Sequence, residues 1–155
     1  MTSYYIETSA LVKRYRVEQG TGVIDNLLHN PTLEDRYFTS FLTVLEFTSS
    51  ILRLSKGSYI KENTAAEMIA RFRRDLSEMF QIWPVDDEVL STSITMVEKH
   101  LLRSADAIHL ATAAVISSIL SESKLVMVSS DQELLIAAAN ARIQTINPLK
   151  QQDIP

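Results

Sequence analysis

The chain has no cysteine in its 155 residues. That excludes a disulfide, a thiolate zinc centre and a cysteine nucleophile, and it fits a reducing, cytoplasmic setting. Glycine and proline are scarce, at 3 and 4 residues, so a linker or low-complexity segment is not expected. The longest mostly apolar stretch, Leu110 to Leu120, is broken by Thr112, Ser117 and Ser118. It falls well short of the ~20 residues a bilayer-spanning helix needs, so no membrane role is expected. The first ten residues lack a basic segment followed by an apolar one, which argues against a signal peptide. A net charge of −4 is not the strong positive excess of a general nucleic-acid binder. Any contact with nucleic acid must therefore come from a local site.

What remains is a chain with 46% hydrophobic residues, long enough for one real core. It reads as a single domain over residues 1–150 with a short tail over 151–155. Strand and helix signals alternate. Tyr4 to Ile6 reads as a strand, with Thr8 or Ser9 capping a helix to about Val17. A helix from Thr21 to Leu28 closes at Asn30-Pro31. Tyr37 to Thr39 is a strand, and Ser40 caps a helix that Lys56-Gly57 ends. Ala65, Ile69, Phe72, Leu76 and Met79 mark an amphipathic helix. Phe80 to Val85 is a strand, and Asp86 caps a helix with apolar positions Leu90, Ile94, Val97 and Leu101. Ser104 caps a helix to Ser118. Leu125 to Val128 and Ile143 to Ile146 are strands flanking a helix over Glu133 to Ala141. Apolar strands separated by helices predict a mostly parallel sheet covered on both faces, a three-layer α/β/α sandwich.

Four acids stand out against this pattern: Glu7, Glu46, Asp106 and Asp131. Glu7 and Asp131 follow strands, where sites of parallel sheets form. Glu46 sits in a helix whose apolar residues cover most of its circumference. It shares a narrow polar strip with Ser49, Ser50 and Arg53. Each acid has a plain alternative reading: first-turn acid or cap for Glu7, Asp106 and Asp131, and an ion pair with Arg53 for Glu46. Gathered together, four carboxylates would repel one another unless a divalent cation held them.

Other charged residues read as structural. Asp86-Asp87-Glu88 is a capping cluster, and Glu62, Glu67, Asp75 and Glu78 form a solvated helix face, as do Arg71, Arg73 and Arg74. His109, three residues after Asp106, reads as a packing histidine before it reads as a ligand. Lys13 and Arg14 lie close after the first acid, suitably placed for a phosphate backbone.

Four segments, in order and at consistent separations, resemble the PIN-domain family of the VapC toxin type. The first is Tyr5-Ile6-Glu7-Thr8-Ser9-Ala10-Leu11. The second runs from Thr39-Ser40 through Glu46-Phe47 to Arg53. The third, Arg103-Ser104-Ala105-Asp106-Ala107-Ile108-His109-Leu110-Ala111-Thr112-Ala113, is the most specific, and Val128-Ser129-Ser130-Asp131-Gln132-Glu133-Leu134 is the fourth. The resemblance implies a Mg²⁺- or Mn²⁺-dependent endoribonuclease, an antitoxin protein as partner and a homodimer. By position, Glu7 and Asp106 hold the metal and Asp131 is a further ligand with a catalytic part. Glu46 orients or deprotonates the attacking water. Thr8, Ser9 and Ser129 support the acids or touch phosphate, and Lys13, Arg14 and Arg53 lie along the substrate backbone. One departure is that Glu7 stands where the family nearly always has aspartate. It leaves open a weakened domain that binds RNA or antitoxin without cutting. A metal-dependent phosphohydrolase acting on small substrates is the remaining alternative.

Overall fold

The computed structural model describes residues 2–29, 35–120 and 124–150. Strands β1 (Thr2–Ile6), β2 (Arg36–Ser40), β3 (Phe80–Trp83), β4 (Lys124–Val128) and β5 (Gln144–Ile146) form one sheet ordered β3-β2-β1-β4-β5. Every pairing is parallel. Parallel neighbours cannot be joined by tight turns, so helices make the crossovers. These are α1 (Thr8–Leu11), α2 (Thr21–His29), α3 (Phe41–Lys56), α4 (Glu62–Met79), α5 (Asp87–His100), α6 (Ser104–Ile119) and α7 (Gln132–Asn140).

The period-two alternation of the strands divides their side chains between two cores. Tyr4, Ile6, Val126 and Val128 face Leu11, Ile24, Phe47 and Phe72 of the first four helices. Tyr5 and Met127 face Leu110 of α6 and Leu134 of α7. Val89 places α5 outside α6, against Ala111 and Val115. On the first face the rings of Phe47 and Phe72 lie 4.0 Å apart, with Tyr15 edge-on to both. Burying each such side chain contributes about 1.5–3 kcal/mol.

The chain leaves central β1 for β2 and β3 on one side, then returns to fill β4 and β5 on the other. The carboxyl ends of β1 and β4 are therefore the switch point, where a crevice opens and ligands of such sheets bind. Glu7 and Asp131 stand at these two ends.

Several expectations change in detail. The first helix is capped by Glu7, not by Thr8 or Ser9, and it stops at Leu11 before a 3₁₀ turn over Val12–Arg14. Ser104 begins α6, but Arg103 holds the cap position without a side-chain hydrogen bond. Leu90, Ile94 and Val97 of α5, and Leu101 just past its end, are exposed, and the buried face carries Val89 and Ser93. Ser93 is tolerated there because its hydroxyl donates to the Leu90 carbonyl at 2.7 Å. Asp75 is buried rather than solvated, and accepts from Arg14 Nε at 2.8 Å and from the Tyr15 hydroxyl at 2.9 Å. The proposed stop at Asn30-Pro31 and the tail over 151–155 lie outside the described residues.

Candidate functional site

Glu7 is the first residue past β1, and its backbone N–H still pairs with the Val128 carbonyl at 3.0 Å. Its side chain folds back over the first turn of α1. Oε1 accepts from the Ser9 N–H at 3.1 Å, while Oε2 accepts from the Ser9 hydroxyl and, at 2.8 Å, from Ser129. A carboxylate only 6% exposed needs such donors, since an unpaired buried charge is strongly unfavourable. Ser129 Oγ also accepts from the Asp131 N–H at 3.0 Å, and Ser9 Oγ accepts from the Ser130 N–H at 2.9 Å. The two strand ends are thus laced together around Glu7.

Glu46 arrives from α3, which Ser40 starts by accepting from the Leu42 N–H at 3.0 Å. Its Oε1 accepts from the Thr8 hydroxyl at 2.8 Å and lies 2.6 Å from His109 Nε2. The other imidazole nitrogen, Nδ1, meets the Tyr5 hydroxyl at 2.7 Å. Burial pushes Glu46 towards the neutral form, but the bond and charge of His109 and the Thr8 hydroxyl outweigh it and hold its pKa below the ordinary carboxylate range.

Asp106 lies in the first turn of α6, and Asp131 caps α7 by accepting from the Leu134 N–H at 3.1 Å. Asp106 has its pKa raised, first by burial and then by the negative charges of Asp131 and Glu7. Arg103, 3.8 Å away and largely exposed, offsets this only in part. The mutual repulsion expected of gathered carboxylates is present at this residue.

Among the described residues, Glu7, Glu46 and His109 each offer a ligand-capable atom within 4.8 Å of the others. His109 is better understood as a donor than as a ligand. Both its nitrogens are occupied, and the Nε2 bond to Glu46 requires a proton there. In place of the ion pair with Arg53, the plain alternative for Glu46, the structure has this bond to His109. The carboxylates suit a hard divalent cation, for which oxygen donors are the preferred set. The residues present therefore fit a hard divalent cation.

Thr8, Ser9 and Ser129 all donate to the acids, Thr8 to Glu46 and the two serines to Glu7. Arg53 shares a cleft with Glu46, Ser49, Ser50 and Tyr59, along the polar strip of α3. Lys13 and Arg14 are employed elsewhere. Lys13 is buried, with its ammonium 2.8 Å from Glu18, and Arg14 is held by Asp75 and, at 3.7 Å, by Asp25. Neither charge is available to a phosphate backbone. Sequence reasoning missed the Tyr5–His109–Glu46 chain. Its one visible signal was a lone histidine on the otherwise apolar face of α6.

A larger groove of about 1220 Å³ lies away from the acids, between the end of α3 and α4. Leu52, Tyr59, Ile60, Ile69 and Arg73 line it, and Tyr59 is shared with the cleft beside Glu46. Met68 of α4 is buried in the core and does not line it.

Residues 4–143 match the family model described as PIN domain. The chain is 33% identical over 144 residues to Ribonuclease VapC35 of Mycobacterium tuberculosis, covering 93% of this chain and 96% of that one. In architecture it resembles the FitAcB structure from Neisseria gonorrhoeae, with a TM-score of 0.70 at 19% identity and coverage of 94% and 97%. A toxin-antitoxin complex from Klebsiella pneumoniae gives 0.63 at 16% identity, with the same coverage of both chains. These two likenesses concern the fold. With the family model matched over most of its length, and the acids at the sheet's switch point, the chain belongs to the PIN domain family.

Proposed function

We propose that this protein is a divalent-metal-dependent endoribonuclease and the toxin of a toxin–antitoxin pair. The observation that supports the reading is that Glu7 and Glu46 lie in one group within 4.8 Å, while Asp106, outside that group, is close enough to feel the negative charges of Asp131 and Glu7. The name of its mycobacterial relative, a ribonuclease, supports the same activity here. Glu7 and Asp106 would hold Mg²⁺ or Mn²⁺, with Asp131 as a further ligand. When bound, the cation supplies Lewis-acid stabilisation of phosphorane charge and lowers the pKa of water. Glu46, held in its charged form, accepts a hydrogen bond from the attacking water and orients it. Its depressed pKa makes it a weak base at neutral pH, so orientation is its larger part. Arg53, with Ser49 and Ser50, lies beside Glu46 where the substrate's phosphates would run.

The antitoxin reading is supported by a neighbouring structure that is itself a toxin-antitoxin complex. The groove under Tyr59 and Ile60 meets the cleft beside Glu46 at Tyr59, which lines both. It suits a partner segment that lays apolar side chains in the groove and sends an Arg or Lys towards the carboxylates. A homodimer completes the assembly. One observation favours the second reading, a domain that binds without cutting. Both oxygens of Glu7 are already hydrogen-bonded within the protein. The test is to induce the protein in cells that hold no antitoxin for it and sequence RNA ends. Growth arrest with new, discrete RNA ends is expected; harmless expression with unaltered RNA would refute the toxin reading.

A further inference from the structure

We propose that His109 and Tyr5 are positioning residues for the cleavage reaction, acting through Glu46; this rests on the nuclease reading above. Three elements converge to build the arrangement: Tyr5 from β1, Glu46 from α3 and His109 from α6. Tyr5 is fully buried and His109 is 1% exposed, so neither exchanges its partners for water.

The hydrogen bonds determine which ring nitrogen carries the proton. A carboxylate only accepts, so the 2.6 Å contact at Glu46 Oε1 demands an N–H on His109 Nε2. In the neutral ring Nδ1 is then an acceptor, and the Tyr5 hydroxyl, 2.7 Å away, donates to it. A charged ring would still present Nε2–H to Glu46. The orientation therefore does not depend on whether the ring is neutral or charged.

The consequence falls on the two oxygens of Glu46. Oε1 receives both the His109 N–H and the Thr8 hydroxyl, which fill its two lone pairs. Among the described residues no donor reaches Oε2. The carboxylate is thus clamped through one oxygen and presents the other. A long side chain on a helix, 34% exposed, would otherwise sample several rotamers. Holding it in one removes a source of misorientation at the reacting phosphate, where small displacements are expensive in rate. Packing alone gives no reason for a histidine satisfied on both nitrogens inside an apolar helix, since a hydrophobic residue there avoids the desolvation penalty.

The test compares the parent with His109→Leu, His109→Gln and Tyr5→Phe on single-stranded RNA at saturating Mn²⁺, with circular dichroism to verify folding. The glutamine amide can place an N–H near the position of Nε2, whereas leucine fills the space without a donor. His109→Leu is expected to lower kcat roughly 10–100-fold with KM little changed, as loss of a supporting partner does. His109→Gln should recover most of that loss, and Tyr5→Phe should fall between them. Equal losses for Leu and Gln would assign His109 to packing and overturn the proposal, as would a His109→Leu variant as fast as the parent. Should His109→Leu fail to fold, the Gln and Tyr5→Phe variants decide by the same ordering against the parent. Nitrogen-15 NMR of the parent's His109 ring needs no activity at all. A protonated, pyrrole-type Nε2 is expected, and a pyridine-type Nε2 would overturn the proposal even if the nuclease reading stands. A parent that cuts no RNA would sink the nuclease reading instead, leaving the ring measurement to judge the hydrogen-bonded chain.

Discussion

Arg14 Nε lies 2.8 Å from Asp75 Oδ2, joining the turn after α1 to the C-terminal part of α4 across 61 residues. The Tyr15 hydroxyl donates to the same oxygen, and Arg71 covers the Tyr15 ring at 5.6 Å. Both members of the pair are largely buried, with side chains 12% and 7% exposed. The pair ties the short first helix to the helical layer on one sheet face.

Removing one partner leaves the other charge buried and uncompensated. Asp75→Ala should therefore destabilise the fold by about 3–5 kcal/mol, read as a lower urea midpoint. A change within about 0.5 kcal/mol, the range of ordinary surface substitutions, would show the pair to be ornamental.

The two faces of α5 give a contrasting pair of substitutions. Val89→Ala should cost about 2 kcal/mol, from lost apolar contact and the cavity left behind. Ile94→Gln, on the 61% exposed face, should change stability by less than about 0.5 kcal/mol. Equal effects at both positions would mean the helix is rotated from its described orientation.

Asp106 carries a penalty that its chemistry requires. Its folded pKa is raised, so the folded state binds the proton more tightly and stability falls as pH rises through the raised value. Metal-free protein should accordingly gain thermal stability in Asp106→Asn at neutral pH, and the gain should vanish below about pH 4, where the unfolded carboxyl is protonated too. Glu46 has the opposite sign: its depressed pKa adds stability above about pH 4 that is lost as pH falls through the folded value. Thermal melts of the parent, Asp106→Asn and Glu46→Gln from pH 3 to 8 check both, and a destabilised Asp106→Asn at pH 7 would contradict the assignment.

Glu7 folds back onto Ser9 and Ser129, and the family's usual aspartate is one methylene shorter. Glu7→Asp should strengthen Mg²⁺ binding and raise cleavage about tenfold, or ~1.4 kcal/mol in the transition state. Glu7→Gln, which keeps the length and removes the charge, should lower both. Rates of the three proteins at saturating Mg²⁺ and Mn²⁺ decide; a slower Glu7→Asp with both metals would show a site adapted to glutamate.

Glu7, Asp106 and Asp131 stood out in the sequence because strand ends and helix starts are visible locally and charge at those junctions is conspicuous, and Glu46 because it interrupts an otherwise apolar helix. The parallel sheet followed from apolar strands alternating with helices. The His109–Glu46 bond was hidden, because it depends on how α6 is rotated against α3, which no local pattern encodes. The same ignorance of rotation misassigned α5, whose two apolar faces compete, and Asp75, whose partner lies 61 residues away. Lys13 and Arg14 were misjudged for a related reason. Their spacing after Glu7 placed them near the site, but the 3₁₀ turn over Val12–Arg14 sends them into ion pairs.

The central claim, hydrolysis of RNA at a carboxylate-held divalent cation, is tested most directly by one assay. End-labelled single-stranded RNA is incubated with the parent and with Asp106→Asn, with Mg²⁺ or Mn²⁺ and then with excess EDTA, and the new ends are mapped. Cleavage by the parent should need the cation and leave a 5′-phosphate, because water attacks and not the ribose 2′-hydroxyl. The variant should be slower by at least ~10²-fold. Undiminished cleavage in EDTA, or products ending in a 2′,3′-cyclic phosphate, would contradict the account.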